Sequence, residues 1–347
     1  MREPGETRTA EGWRPVLLAV ASIGALAALA VACLMVGKYP LPASEVLTAL
    51  GTMFGGSEPA DPATVTVVLN VRLPRVLAAI VAGAALAASG ATYQGLFRNP
   101  LVSPDILGVS AGASLGAVIG IFLSLPVAAI QIVSFAGGLA AVLAVYAVGG
   151  LVRGRDPILT LVLAGVAVGA VVGAGISLIK ILADPYDQLP AITYWLLGSL
   201  ASVTLADLGF VLPGVVAGGV LLFLLRWRIN LLALGEDEAR ALGVETRRLR
   251  PALVIAATLV TSAVVSITGV IGWIGLVVPH VVRMLVGPDF RVLLPASMIA
   301  GAAFLLVIDL LARSVAQTEI PLGILTAVVG APFFLGLLAR GRTGWSG

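Results

Sequence analysis

Cysteine and histidine are almost missing from the sequence: among 347 residues there is one cysteine, Cys33, and one histidine, His280. A single cysteine excludes a disulfide within the chain and a metal site built on cysteine pairs. A lone histidine with no second histidine, far in sequence from the single cysteine, argues against a transition-metal site as well. We therefore predict that this chain holds no metal.

Charged residues are also scarce, at 11% of the chain, whereas hydrophobic residues make up 59%. A soluble domain has about a quarter charged residues and about half apolar ones. This composition, with a mean hydropathy of +1.08, indicates an integral membrane protein in contact with lipid. A pI of about 9.3 would suggest a nucleic-acid partner for a soluble protein. In a membrane protein excess arginine more often records topology, so we predict no nucleic-acid partner.

No arrangement of residues indicates a catalytic site or a nucleotide site. The phosphate-binding loop of many ATPases needs a lysine followed by serine or threonine, but Lys38 precedes Tyr39 and Lys180 precedes Ile181. We predict that the chain is not an enzyme and binds no cofactor. If ATP drives its activity, another polypeptide binds the ATP and magnesium.

Abundant in the sequence are apolar runs of the length that crosses a bilayer, about 20 residues of helix. They recur from one end to the other, which predicts an all-α membrane protein forming a single domain over residues 1–347. The first run is too long for a signal-peptide core and lacks a convincing cleavage site, so it predicts a retained helix after a tail at residues 1–15. The ten predicted helices span residues 16–36, 76–96, 105–124, 127–150, 157–182, 208–227, 251–271, 273–287, 292–312 and 321–339.

The distribution of basic residues predicts the orientation of these helices. With the N-terminus inside, sixteen of the 21 Lys and Arg residues fall in inner segments and five in outer ones. Cytoplasmic loops carry the excess of Lys and Arg, so we predict a multi-pass protein of the cytoplasmic (inner) membrane with both termini cytoplasmic. The five outer basic residues are Lys38, Arg72, Arg75, Lys180 and Arg313.

The segment RLPR at residues 72–75 directly precedes an apolar run. Pro74 is typical of a helix start, where its missing N–H is no loss. Arg72 and Arg75 are then either interfacial anchors or, together with Arg313, solvent-presented groups that bind the carboxylates of an acidic partner. Asp309 lies near the predicted outer end of a helix, where a position at the interface explains its charge.

The longest polar stretch inside the bundle is GEDEARALGVETRRLR, residues 235–250, on the predicted inner side. Acidic residues at its front and arginines at its back favour a short helix, which Gly243 would end. Ala239 and Leu242 would share one apolar face. The stretch is either a solvated connector or a helix on which an inner partner docks, and we favour docking.

Glycines recur at helical spacing in two runs, one at Gly165, Gly169 and Gly173 and the other at residues 108, 112, 116 and 120. In a bilayer such ridges let helix backbones approach closely. Tight helix packing is the simpler interpretation, and lining a substrate path or a subunit seam is the functional one.

A faint repeat links TYQGLFRNPL, residues 92–101, with GWIGLVVPH, residues 272–280. Each joins a long helix to a short one after glycine and proline. An odd number of helices in each half would invert one copy relative to the other, as in many transporters. We therefore predict inverted halves.

Four long segments, in this order, are highly specific in combination: RLPRVLAAIVAGAALAASGATYQGLFRNPLVSPDILGVSAGAS, GEDEARALGVETRR, GWIGLVVPHVVRMLVGPDFRVLLPASMIAGA and EIPLGILTAVVGAPFFLGLL. They resemble the permease subunits of ATP-binding cassette (ABC) importers for iron-siderophores, haem and vitamin B12, the FecCD-type or type II importers. The resemblance covers about residues 16–340.

This resemblance implies a homodimer of ten-helix subunits around a central path. Its implied partners are two cytoplasmic ATP-binding cassette subunits and a periplasmic or lipid-anchored substrate-binding protein. It implies that Arg72, Arg75 and Arg313 receive acidic residues of the binding protein, and that the helix Gly235–Gly243 sits in a groove of the ATPase. The residues it assigns to ATPase coupling are Gly235, Glu236, Ala239, Leu242 and Gly243, and those it assigns to the translocation path or dimer seam are Gly165, Gly169 and Gly173.

The expected function is import of an iron chelate, a ferric siderophore or haem, powered by ATP hydrolysis on partner subunits. A permease for vitamin B12 (cobalamin) of the same family is the first alternative. An ion-coupled secondary transporter is a weaker one, since neither Lys180 nor Asp309 falls at the midpoint of a predicted helix. A signalling or structural membrane subunit is a third.

Overall fold

The computed structural model describes residues 7–53, 55, 61–151 and 157–339. Within these ranges the regular secondary structure is helical and no β-strand occurs. In chain order the α-helices are α1 (Thr7–Met35), α2 (Ala43–Thr52), α3 (Pro62–Val65), α4 (Leu73–Leu96), α5 (Val109–Phe122), α6 (Val127–Leu151), α7 (Pro157–Leu182), α8 (Gln188–Leu196), α9 (Leu205–Leu234), α10 (Glu236–Ala241), α11 (Thr246–Thr268), α12 (Ile274–Val286), α13 (Phe290–Ser314) and α14 (Leu322–Ala339).

Each of the ten predicted membrane helices has a counterpart in the structure. Seven helical runs of the described chain are long and apolar enough to cross a bilayer, and three shorter apolar helices, α5, α12 and α14, complete the set. The all-α membrane fold is thus confirmed. Of the predicted tail, residues 1–6 lie outside the described ranges, and the chain is helical from Thr7 onward.

The core of the bundle lies around α4, α11 and α13. Half or more of the apolar window of α11 and of α13 is buried inside the chain, whereas only 11% of that of α1 and of α7 is buried. Glycines make this close packing possible, because a Cβ on Gly83 would overlap the carbonyl of Gly301 and one on Gly90 would overlap the carbonyl of Gly275. Helix association in lipid depends on such close approach.

The stretch RLPR does not begin a helix, contrary to the prediction. A continuous helical run extends from Pro62 to Leu96, and Asp61 caps its start by accepting a hydrogen bond from the Ala63 amide at 3.0 Å. Thr66–Arg72 adopts π-helical geometry immediately before Pro74. Proline removes one helical hydrogen bond and crowds the preceding turn, and a wider π turn accommodates it without ending the helix.

The glycine run at residues 108, 112, 116 and 120 mainly serves helix packing, as the simpler interpretation expects. Gly112 lies against the carbonyl of Gly137 and Gly116 against that of Val133, so α5 and α6 cross with their backbones nearly in contact. Gly108 has a different role, since its φ of 74° places it in the left-handed region just before α5.

Gly90→Ala tests the importance of close packing between α4 and α12. An alanine favours helix by about 1 kcal/mol over glycine, but overpacking a tight contact costs about 1–3 kcal/mol, so the variant should lower the melting temperature of the detergent-solubilised protein. Gly219→Ala, at a helical glycine with no neighbour in reach of its Cβ, should raise it slightly or leave it unchanged. Equal melting temperatures for both variants would contradict this account of the core.

Candidate functional site

The candidate site is a cluster of charged side chains at the predicted outer end of the bundle. It brings together Arg72 and Arg75 of the long helix through α4, Asp309 and Arg313 of α13, and Glu319 of the segment before α14. We call these five residues the arginine cluster. The three arginines predicted from sequence therefore lie at one place, and two carboxylates lie among them.

Arg75 is the centre of the arginine cluster. Its Nε donates to Oδ1 of Asp309 at 2.7 Å, and its two terminal nitrogens donate to the two carboxylate oxygens of Glu319 at 2.9 and 2.7 Å. The side chain of Arg75 is 9% exposed, that of Asp309 1% and that of Glu319 21%. A forked pair of this kind is the strongest and most directional hydrogen-bonding arrangement of arginine.

Arg72 binds the end of α1 instead of a carboxylate. It donates to the backbone oxygens of Leu34 at 2.6 Å and Met35 at 3.1 Å, and to that of Tyr39. The last carbonyls of a helix have no partner inside it and carry the negative end of the helix dipole. Arg72 therefore caps the C-terminus of α1 with a positive charge.

Arg313 joins the same helix end to the ion pairs. One terminal nitrogen donates to the backbone oxygen of Cys33, and its Nε lies 3.5 Å from Oδ2 of Asp309. Gly37 lies directly against both Arg72 and Arg313, where it has no side chain to displace them. The arginine cluster thus ties α1, α4 and α13 together at one end of the molecule.

The burial of these groups corrects two expectations. Arg72 and Arg75 are 5% and 7% exposed, so the guanidinium groups are neither presented to solvent nor placed as interfacial anchors. Asp309 does not reach an interface either, because it is 1% exposed and paired with Arg75. Sequence periodicity could not predict the burial of these side chains, since it does not show which neighbouring helix a given face contacts. Docking of an acidic partner at these arginines stays a prediction.

Glu319 was not singled out from the sequence, although it is the residue that links the arginine cluster to the rest of the outer end. Besides its fork with Arg75, its Oε1 accepts a hydrogen bond from the Ser199 hydroxyl at 3.4 Å. Ser199 lies in the turn that follows α8. Its position could have identified it, because Glu319 is an acidic residue three positions before α14, at the predicted outer end that also carries Arg72, Arg75 and Arg313.

The start of α14 is fastened to the same turn by backbone bonds. The amide of Leu322 donates to the carbonyl of Gly198, and that of Gly323 donates to the carbonyl of Leu197, each at 3.0 Å. A Cβ on Gly323 would overlap the Leu197 oxygen, so glycine permits the contact. Glu319 and α14 are consequently held to the end of α8 as one unit.

Beside this turn lies a chamber of about 430 Å³ between α8 and the ends of neighbouring helices. Its wall combines aromatic and hydroxyl side chains, and the Gln131 amide donates to Asp207 at 2.6 Å across it. The lining residues include Tyr194, Trp195, Ser199, Ser202, Asp207, Ser266 and Thr268. The chamber therefore adjoins both α8 and the turn that holds Glu319.

At the opposite, predicted inner end, the polar stretch 235–250 forms the six-residue helix α10 between two glycines with positive φ, Gly235 at 134° and Gly243 at 80°. Ala239 is fully buried, whereas Leu242 is 59% exposed. Of the two residues predicted to share one apolar face, Ala239 therefore packs into the core and Leu242 is exposed at the surface. The side chain of Glu236 lies outside the described part of the structure.

Next to α10, a bracket of hydrogen bonds joins α9 to α13. Asn230 donates from Nδ2 to Asp289 at 2.8 Å and accepts the amide of Phe290 at 2.8 Å. Arg291 binds the carboxylate of Asp289 at 2.7 Å, and this bond, with the one from Asn230, holds the pKa of Asp289 well below its usual range. Sequence reasoning did not identify this bracket.

The glycine run at Gly165, Gly169 and Gly173 does not act as one packing ridge. Gly165 packs against the carbonyl of Ile106, but a Cβ on Gly169 or on Gly173 would meet nothing within 4 Å. Since little of α7 is buried inside the chain, the face that carries Gly169 and Gly173 is open in the single subunit. That these glycines line a translocation path or a dimer seam stays a prediction.

The lone histidine, His280, is 5% exposed, and neither of its ring nitrogens has a hydrogen-bond partner within the described structure. It lies among Leu101, Phe333 and Phe334. No group of three or more His, Cys, Asp or Glu side chains that could hold a metal occurs in the described ranges. His280 has no companion ligand there.

The chain is similar to known membrane transport proteins. Residues 25–340 match the model of the FecCD transport family. The chain is 44% identical to the cobalamin import permease BtuC of Halobacterium salinarum, covering 87% of this chain and 80% of that one. It is 42% identical to the hemin permease HmuU of Yersinia pestis, covering 80% and 85%, and 38% identical to the molybdate permease MolB of Haemophilus influenzae, covering 88% and 90%.

A solved structure is also similar. It is described as an inward-facing conformation of a metal-chelate type ABC transporter, and it aligns with a TM-score of 0.83 and 35% identity over 93% of this chain and 99% of that one. A likeness of this extent covers the whole bundle, including the helices that carry the arginine cluster.

Asp309→Asn tests the energetic importance of the arginine cluster. Removing one partner of a buried ion pair leaves an uncompensated charge, so the variant should lose about 3 kcal/mol of stability, at the low end for such losses. Thermal unfolding in detergent measures this. Asp187→Asn, at an exposed aspartate at the start of α8 whose carboxylate caps nothing, is the control and should unfold like the wild type. An Asp309→Asn variant as stable as wild type would contradict the assignment.

Proposed function

Because the chain belongs to the FecCD transport family, whose members are permease subunits of ABC importers, we propose that it carries an iron chelate, a ferric siderophore or haem, into the cytoplasm. The observation that carries this proposal is the match over residues 25–340, together with similarity to a hemin permease and to a metal-chelate transporter of known structure. Cobalamin is the second candidate cargo, favoured by the 44% identical cobalamin permease. As a multi-pass transport subunit, the chain works with ATPase and substrate-binding partners.

The assembly we propose is a homodimer with its path between the subunits. The open face of α7 at Gly169 and Gly173 supports this, because an apolar helix with little burial inside its own subunit has surface left for a second copy. Two ATP-binding cassette subunits would bind ATP and magnesium, and no cofactor is assigned to this chain. Lipid would cover the remaining apolar surface.

The orientation we propose places both termini in the cytoplasm, in the inner membrane of the cell. Its support is the excess of basic residues on the side that carries α10 and the bracket at Asp289. On that side α10 and the residues beside it would contact the ATPase. Leu242 is the exposed apolar group there, whereas Ala239 positions the helix from inside the core.

At the other end, the arginine cluster would receive an acidic binding protein, either periplasmic or lipid-anchored. Three cationic side chains face two carboxylates, so the cluster keeps an excess of positive charge. Such an excess at a surface attracts acidic partners from solution. The cluster is internally bonded in the single chain, and docking therefore requires some of these bonds to exchange.

Reconstituted uptake tests the proposed function. Proteoliposomes containing the chain and its partner ATPase, supplied from outside with the partner binding protein, should accumulate radiolabelled ferric siderophore or haem. Accumulation should require ATP on the side of the membrane that carries the ATPase. Accumulation of labelled cobalamin instead would select the second cargo. Gradient-driven uptake by the chain alone, without an ATPase, would overturn the importer function.

Leu242→Asp tests the inner docking surface. Placing a charge at the centre of a protein interface weakens association by about tenfold or more, so the variant should bind the ATPase less tightly and lose most ATP-driven uptake. Leu123→Asp is the matched control, since Leu123 is also 59% exposed but lies at the predicted outer end after α5. Equal loss of ATPase binding in both variants would show that Leu242 is not part of the ATPase interface.

A further inference from the structure

We propose that Glu319 is an internal stand-in for the carboxylate of a docking partner. In the free permease it occupies Arg75; a carboxylate of the binding protein replaces it there, and the released Glu319 frees the start of α14. This inference rests on the proposed function, because it takes the acidic binding protein as the partner. It adds a positioning residue and a route from the docking surface to the transport machinery.

The geometry of Arg75 favours exchange at Glu319 over exchange at Asp309. The fork of its two terminal nitrogens is fully used by Glu319, and a second carboxylate cannot enter the same fork. Asp309, on Nε, is 1% exposed and sits inside the bundle, whereas Glu319 is 21% exposed and covers the outer side. A partner arriving from outside would therefore replace Glu319 and leave the bond to Asp309 in place.

The charge balance permits this exchange, because one carboxylate replaces another. With Glu319 in place, the arginine cluster has three cations and two anions, and Arg72 binds backbone carbonyls alone among the described residues. When Glu319 leaves, the cluster gains a further unit of uncompensated positive charge. A carboxylate from a partner restores the balance, and the low exposure of Arg75 strengthens its attraction.

The released carboxylate acts on the turn after α8. Glu319 accepts the hydroxyl of Ser199, and a few residues on, the amides of Leu322 and Gly323 bind the carbonyls of that same turn. When Glu319 no longer binds Arg75, the segment just before α14 loses its ion pair with α4 and becomes more mobile. Docking at Arg75 is thereby coupled to the contact between α8 and α14, beside the chamber.

The first experiment measures hydrogen exchange of backbone amides in the full chain in lipid nanodiscs, with no partner present. Glu319→Gln keeps the shape of the side chain but removes its charge, so the amides of residues 322–323 should exchange about tenfold faster, as expected for loss of a charge-assisted bond. Glu45→Gln removes an exposed charge from α2 and should leave these amides unchanged. Unchanged exchange in Glu319→Gln would overturn the link to α14.

The second experiment measures association of the binding protein with the same nanodiscs. An internal competitor predicts that Glu319→Gln binds the partner about tenfold more tightly, and that partner added to wild type speeds exchange at residues 322–323. A purely structural role for Glu319 predicts weaker binding, and weaker or equal binding would overturn the exchange. Glu319→Asp, which keeps the charge, provides a second variant if Glu319→Gln folds poorly, and it should bind no tighter than wild type.

These outcomes separate the inference from the proposed function. If wild-type nanodiscs do not bind the partner and reconstituted uptake is absent, the importer assignment fails. If uptake is ATP-driven and partner binding is unaffected by Glu319→Gln, the importer stands and the stand-in role of Glu319 is wrong.

Discussion

The burial of Arg75 between two carboxylates is the constraint on which the outer end of this protein depends. A charged group in an apolar bundle is costly unless nearby charges and hydrogen bonds compensate it. Here the compensation comes from Asp309 on one helix and Glu319 on the segment before another. The fold therefore has to hold α4, α13 and the start of α14 in fixed relation, and Arg72 and Arg313 extend the arrangement by capping α1.

Helix α13 carries features of both ends of the molecule. Its first residues belong to the bracket of Asn230 and Asp289 beside α10, and its last turns carry Asp309 and Arg313. Between them it packs against α4 through the close contact of Gly83 and Gly301. In the proposed importer, one rigid element thus spans the distance between the ATPase surface and the binding-protein surface.

The sequence alone predicted the helices well, because a bilayer imposes their length and composition. It failed where local signals had two interpretations. Pro74 is typical of a helix start but lies after a π turn inside a longer helix. Leu242 has the spacing to share a face with Ala239, yet Ala239 is buried in the core and Leu242 is exposed. The partners of Arg75 could not be read from the chain, since Asp309 and Glu319 lie more than 230 residues away from it.

Exchange of carboxylates at Arg75 is tested most directly by cryo-electron microscopy structures of the importer in nanodiscs, with and without its binding protein. These structures show the position of the Glu319 carboxylate. In the free importer, both carboxylate oxygens of Glu319 should lie within about 3 Å of the Arg75 guanidinium. In the docked complex, a carboxylate of the binding protein should take that place. A docked complex in which Glu319 still forks to Arg75, with the partner's acidic residues elsewhere, would contradict this exchange.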